Sequence, residues 1–414
     1  MKMKKISLYL LLATGISVAP SCKKDSVEPT SSQATVYTDE QNKENLQNTG
    51  LSMMKEMDDA KNLEGINYTK DFANLVGNVN PFGSNQLFMP INVITSLSFF
   101  GETGSTKALE SSLKRGTEDL NEAYNNRLGE YIWNGNSWDK KKSDKIILRF
   151  RTSNSKNASY EITFVNYAGE GLHDDLKGYV PSNLGAKFIV DGKTLVQLEF
   201  KGVYNTDGIP SLLDAKLSVF PYSFSSTFKN NSSDISKVFA FKRNDKTLLA
   251  MGANITGNLD KASIENIIND KKAEDINKVV KSISAYTQIF DVIIKGEANV
   301  DGIVNDVKGK ESVSDEEKVA TGNKNLSLGV FYVSTGQKIA GSEFYIKENK
   351  YNEEYFDQNG QLIKNEYTDK DLNIRMVFKD GTKADLETYF KSGFDTLGDD
   401  FNQFAKDLGE KYSK

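Results

Sequence analysis

The sequence predicts an α+β fold, a curved and mostly antiparallel sheet flanked by helices, and three observations carry that prediction. Apolar residues recur near the helical period up to about residue 128, and from Gly129 the period falls to 2. Turn dipeptides then separate the alternating runs at meander spacing rather than at the wider spacing of βαβ units.

Composition bounds the rest. The chain has 414 residues, 38% apolar and 26% charged, enough to bury a core and too polar for a bundle of membrane helices. Its formal net charge is −5; without the first 21 residues, which hold Lys2, Lys4 and Lys5, 49 basic residues face 57 acidic ones, a net of −8. An acidic surface argues against nucleic acid as a partner. One cysteine and one histidine exclude intrachain disulfides and Cys/His zinc sites, and no cofactor motif is present.

The elements follow in chain order. Lys2, Lys4 and Lys5 precede thirteen uncharged residues, Ile6 to Val18, and then Ala19-Pro20-Ser21-Cys22. This is the layout of a secretory signal peptide over residues 1–21. A helix of thirteen residues covers about 20 Å, short of the roughly 30 Å hydrocarbon core, so the run is a poor transmembrane span. In an ordinary secretory signal, Ala19 and Ser21 are the small residues at the cleavage site and Cys22 becomes a free exported thiol.

The charged start, apolar centre and single cysteine together resemble the bacterial lipoprotein family, whose lipobox cysteine becomes the acylated first residue of the mature chain. The resemblance implies that acyl chains on Cys22 tie the protein to a membrane. It covers about the first 25 residues. Lys23 stands where an aspartate marks inner-membrane retention in that family, which implies an outer-membrane anchor. Lys23, Lys24 and Asp25 are similar to the export signals of surface-displayed envelope lipoproteins of the Bacteroidota. Residues 22–37 read as a lipidated tether, because 26–36 hold Pro29, three serines and two threonines with no apolar period.

Residues 38–128 form a helical segment expected to pack on the sheet. Thr38 and Gln41 make a capping-box pattern, and Leu46, Met53, Met57, Ala60 and Leu63 line one face of a helix over 39–63. A second helix follows Thr69 and a third spans 105–128; 87–100 is apolar, with Pro90, and fits either type. Residues 129–310 are expected to hold an antiparallel sheet plus a helix, with seven to nine strands up to 257. Ile146, Leu148 and Phe150 alternate with Arg149 and Arg151, and Asp191-Gly192 is a strong hairpin turn. Ile264, Ile267, Ile268, Ile276, Val279, Val280 and Ile283 predict that 259–294 is a helix capping the sheet. Residues 311–414 are expected to form strand hairpins, turning at Asn359-Gly360 and Asp380-Gly381, and C-terminal helices from Leu386 to Tyr412. Ser314 before Asp315-Glu316-Glu317 marks a short helix.

Catalytic signatures are sparse. His173 stands beside Asp174 and Asp175, but adjacent side chains point apart and no nucleophile elbow is present, so it reads as a surface-loop histidine. Carboxylate pairs such as Asp58-Asp59, Glu353-Glu354 and Asp399-Asp400 suit glycoside hydrolysis in principle, yet 57 acidic residues make such pairs uninformative. Lys140-Lys141-Lys142 reads as a solvated turn. Phe220, Tyr222, Phe224 and Phe228 form a stripe that reads as core. Tyr131, Trp133 and Trp138 are the better ligand-binding candidates, with a tight turn at Asn134-Gly135-Asn136 between the tryptophans. Together these features predict a non-catalytic binding or accessory protein of the envelope that captures a glycan or an apolar small molecule. A carboxylate-dependent glycan hydrolase and an envelope assembly or adhesion component are the alternatives.

Overall fold

The computed structural model describes residues 37–61, 63–82, 120–168, 180–205, 210–260, 263, 276–310, 312–356 and 361–385. The strands are β1 (Gly129–Trp133), β2 (Trp138–Lys141), β3 (Ile146–Arg151), β4 (Asn157–Ala168), β5 (Val180–Val190), β6 (Lys193–Tyr204), β7 (Pro210–Val219) and β8 (Tyr222–Asn230). They continue as β9 (Asp234–Arg243), β10 (Lys246–Gly257), β11 (Val280–Ile289), β12 (Val292–Asn299), β13 (Leu326–Tyr332), β14 (Lys338–Phe356), β15 (Leu362–Phe378) and β16 (Lys383–Asp385). The helices are α1 (Asp39–Lys61), α2 (Glu64–Asn78), α3 (Leu120–Arg127), α4 (Ile276–Val279), α5 (Val300–Val307) and α6 (Asp315–Asn325).

All sixteen strands join one sheet, which runs in chain order from β16 to β3 and ends β3-β1-β2. Neighbours are antiparallel except β1 and β3, which pair in parallel. The fold is therefore predominantly β, which corrects the α+β class with flanking helices. Where seven to nine strands were expected before residue 258, the described residues hold ten. The expected capping helix over 259–294 is, in its described part, one helical turn, α4, followed by the hairpin β11–β12. Ile283, Ala285 and Ile289 alternate with Ser284, Tyr286 and Gln288, and Ser282 to Ile289 pair with both β10 and β12. Because Ile276, Val279, Val280 and Ile283 stand at helical spacing, both periods fit locally, and cross-strand pairing decides between them from Val280 onward. The sheet also passes through the boundary expected at residue 310 without a break, since β12 pairs with β13.

The long helices lie along one face as a spine that crosses the strands in reverse chain order. Leu46 of α1 packs with Val292, Tyr332, Ile339 and Met376 of β12 to β15. Two to four turns later, Met53, Met57 and Ala60 pack with Tyr222, Phe241, Leu249 and Ile289 of β8 to β11. Tyr68, Phe72 and Val76 of α2 then cover Tyr131, Leu148, Phe150, Phe188 and Leu198 at the far end. Helices of 23 and 15 residues measure about 34 and 22 Å, most of the about 70 Å that sixteen strands occupy side by side. The apolar faces of both elements are thereby buried against each other. Thr38 N donates to Gln41 Oε1 at 2.9 Å and Gln41 N to Thr38 Oγ1 at 3.3 Å, so the capping pair starts the spine. Residues 83–119 and 386–414 lie outside the described residues, and with them the segment 87–100, most of the expected third helix and the C-terminal helices.

Candidate functional site

Alternation on β3 sends Ile146, Leu148 and Phe150 to the helix side and Ile147, Arg149 and Arg151 to the opposite face. Register then brings together residues far apart in the chain. Ile132, Arg149, Ser159 and Ile189 form one row across β1, β3, β4 and β5, and Arg151 lies beside Asn157 in the next. Glu161 lies opposite Ile147 and Lys187 on the other side of that row. Over these rows is an open depression of about 470 Å³ lined by Ile132, Trp133, Arg149, Arg151, Asn157, Ser159, Glu161 and Ile189.

The polar groups here are unequally satisfied. Arg149 Nε donates to Glu130 Oε1 across the β1–β3 pair. Arg151 is exposed and has no ion-pair partner among the described residues. Ser159 is only 4% exposed, and its hydroxyl approaches Glu161 Oε1 at 3.4 Å, a long contact that leaves the carboxylate with accepting capacity. The rim is rigid where Asp191 Oδ1 accepts from Asn157 N at 3.1 Å. Asp191 and Gly192 there both have positive φ, 47° and 79°, the conformation for which the Asp-Gly dipeptide is suited.

The aromatic candidates divide between core and rim. Tyr131 is 5% exposed, its hydroxyl donates to the Arg127 carbonyl at 2.9 Å, and Phe82 meets its ring edge-on at 5.1 Å. Trp133 and Trp138 are register partners with ring centroids 5.4 Å apart. Trp138 Nε1 donates to the Val79 carbonyl at 2.8 Å, tying the end of α2 to the edge strand. Trp133 alone of the three also lines the depression. In the second stripe, Tyr222 and Phe224 stack on Phe241 in the core, Phe228 packs beside the first cluster, and Phe220 sits exposed in the β7–β8 turn.

Cys22, His173, Asp174, Asp175, Asp399 and Asp400 lie outside the described residues, as do the side chains of Glu353 and Glu354. Asp58 and Asp59 are exposed on α1, and Lys140 and Lys141 are exposed on edge strand β2, where lysines discourage pairing with another sheet.

Every described carboxyl with a displaced pKa is displaced downward: Glu64, Asp306, Asp315, Glu317, Glu343, Asp380 and Asp385. In each the largest cause is a hydrogen bond, from a lysine, from Tyr345 or from the backbone. A glycosidase acid requires the opposite displacement. Among the described residues no group of three or more His, Cys, Asp and Glu could hold a metal ion, and no helix is long and apolar enough to cross a membrane.

No family model matches the chain, and neither a curated protein nor a solved structure matches it.

Proposed function

We propose that the protein is a lipid-anchored envelope protein with a non-catalytic binding role, tied to the outer membrane through acyl chains on Cys22. Two or three chains, each contributing about 0.8 kcal/mol per buried methylene, anchor stably where one chain gives only reversible binding. The signal layout at residues 1–22 and the short polar tether support the anchor. The depression over β1, β3, β4 and β5 is the observation that carries the binding role, because it is concave, partly apolar and lined by convergent polar groups. Its chemistry suits a small glycan better than a wholly apolar ligand, since Arg151 and Glu161 would be desolvated without compensation under an apolar one.

Fractionation and turnover test the reading. Cys22→Ser moves the protein from the membrane to the soluble fraction with its fold intact, and purified protein is stabilised by a saccharide without hydrolysing it. Membrane retention of the variant overturns the anchor. Turnover of a glycan panel, abolished by one carboxylate substitution, overturns the binding role in favour of a hydrolase.

A further inference from the structure

Resting on that binding role, we infer that the depression selects an acidic saccharide, a hydroxylated ligand whose carboxylate or sulfate is received by the guanidinium of Arg151. The two arginines stand two residues apart on β3, about 7 Å along the strand, on the same face. Glu130 holds Arg149, so its remaining donors are oriented, whereas Arg151 presents an unengaged fork of donors to solvent. That planar fork matches a carboxylate or sulfate in bidentate geometry.

An oxyanion alone does not satisfy the rest of the lining. Glu161 faces the same space, repels a bare anion and accepts from hydroxyl donors. Ser159 can donate and accept, and Ile132 and Ile189 close the row with aliphatic surface suited to the C–H face of a sugar ring. A ligand carrying both hydroxyls and an oxyanion on a compact frame meets all of these groups at once. The volume of about 470 Å³ limits it to a few rings.

Titration calorimetry on the mature chain with digalacturonate, neutral digalactose and inorganic sulfate decides the question. Digalacturonate binds at least tenfold more tightly than digalactose, weakens as salt rises, and loses at least tenfold in Arg151→Ala. Arg151→Ala keeps its thermal midpoint, since the side chain is exposed and unpaired. Equal affinity for both sugars overturns the acidic selection and leaves the binding role standing. Sulfate binding without either sugar reduces the depression to a simple anion site and overturns the saccharide class. Failure of all three probes, or digalacturonate binding unchanged in Arg151→Ala, overturns the inference outright.

Discussion

The hydroxyl of Tyr332 on β13 donates to Asn42 Oδ1 on α1 at 2.9 Å, a buried bond between residues 290 apart in sequence. The same hydroxyl accepts from Asn45 Nδ2 at 2.9 Å. Asn42 is 1% exposed, so no water replaces the lost donor if the hydroxyl is removed. Tyr332→Phe is expected to cost about 1–3 kcal/mol, the desolvation penalty of an orphaned polar group, read as a lower urea midpoint with an unchanged slope. A midpoint equal to wild type would mean that the spine does not depend on this bond.

The opposite end of the spine depends on shape. Phe72 of α2 is 1% exposed and meets Phe150, Tyr160 and Phe188 at centroid distances of 5.4, 4.8 and 6.0 Å. Phe72→Ala leaves a cavity under the helix and is expected to cost about 3–5 kcal/mol, whereas Leu51→Ala changes stability by less than about 0.5 kcal/mol. Leu51 is the control because it lies on the same spine but is 56% exposed. Comparable losses for the two would contradict the assignment of the buried face.

This division was legible in the sequence, because Leu46, Met53, Met57 and Ala60 recur at helical spacing and all four are buried. The strands of the first half were legible for the same local reason, with Ile146, Leu148 and Phe150 alternating against arginines. The hairpin β11–β12 was not, because Ile276, Val279, Val280 and Ile283 satisfy a helical period into its first strand and only pairing with β10 and β13 resolves the ambiguity. The candidate site was legible only in part. Trp133 was singled out, but Arg149 and Arg151 stood merely as the polar half of an alternation. Their convergence with Ser159 and Ile189 depends on the register of four strands, which no local pattern specifies.

Acid should loosen the β14–β16 edge. Glu343 is held below the usual carboxylate range mainly by Lys383 Nζ at 2.5 Å, with Arg375 at 2.9 Å, and Asp385 is held low by the Tyr345 hydroxyl and by Lys347 at 3.2 Å. A carboxyl whose folded pKa lies below its unfolded value stabilises the fold above that unfolded value and stops doing so as pH falls through the folded one. Amide exchange protection in β15 is therefore expected to be flat from about pH 8 to 5 and to decline as pH falls below about 4. In Glu343→Gln the decline becomes shallower. A decline that begins near pH 6 would point to other groups.

The contact between α5 and α6 requires a glycine for space rather than for backbone freedom. A Cβ on Gly302 would lie 1.8 Å from Asn325 Oδ1 and 2.9 Å from Asn299 Nδ2. Asn325 is 7% exposed and anchors the junction, donating to Asp306 Oδ2 at 2.7 Å and to the Thr321 carbonyl at 3.2 Å. In an open helix, glycine to alanine gains up to about 1 kcal/mol, but here Asn325 has to leave its bonds, and Gly302→Ala is expected to destabilise by about 1–3 kcal/mol. Asn325→Ala alone also destabilises, by removing those bonds, and it clears the space a Cβ needs. The double variant should therefore be more stable than the sum of the two single losses allows, with a coupling of about 0.5–3 kcal/mol in urea denaturation. Simple additivity would show that the two residues do not compete for the same volume.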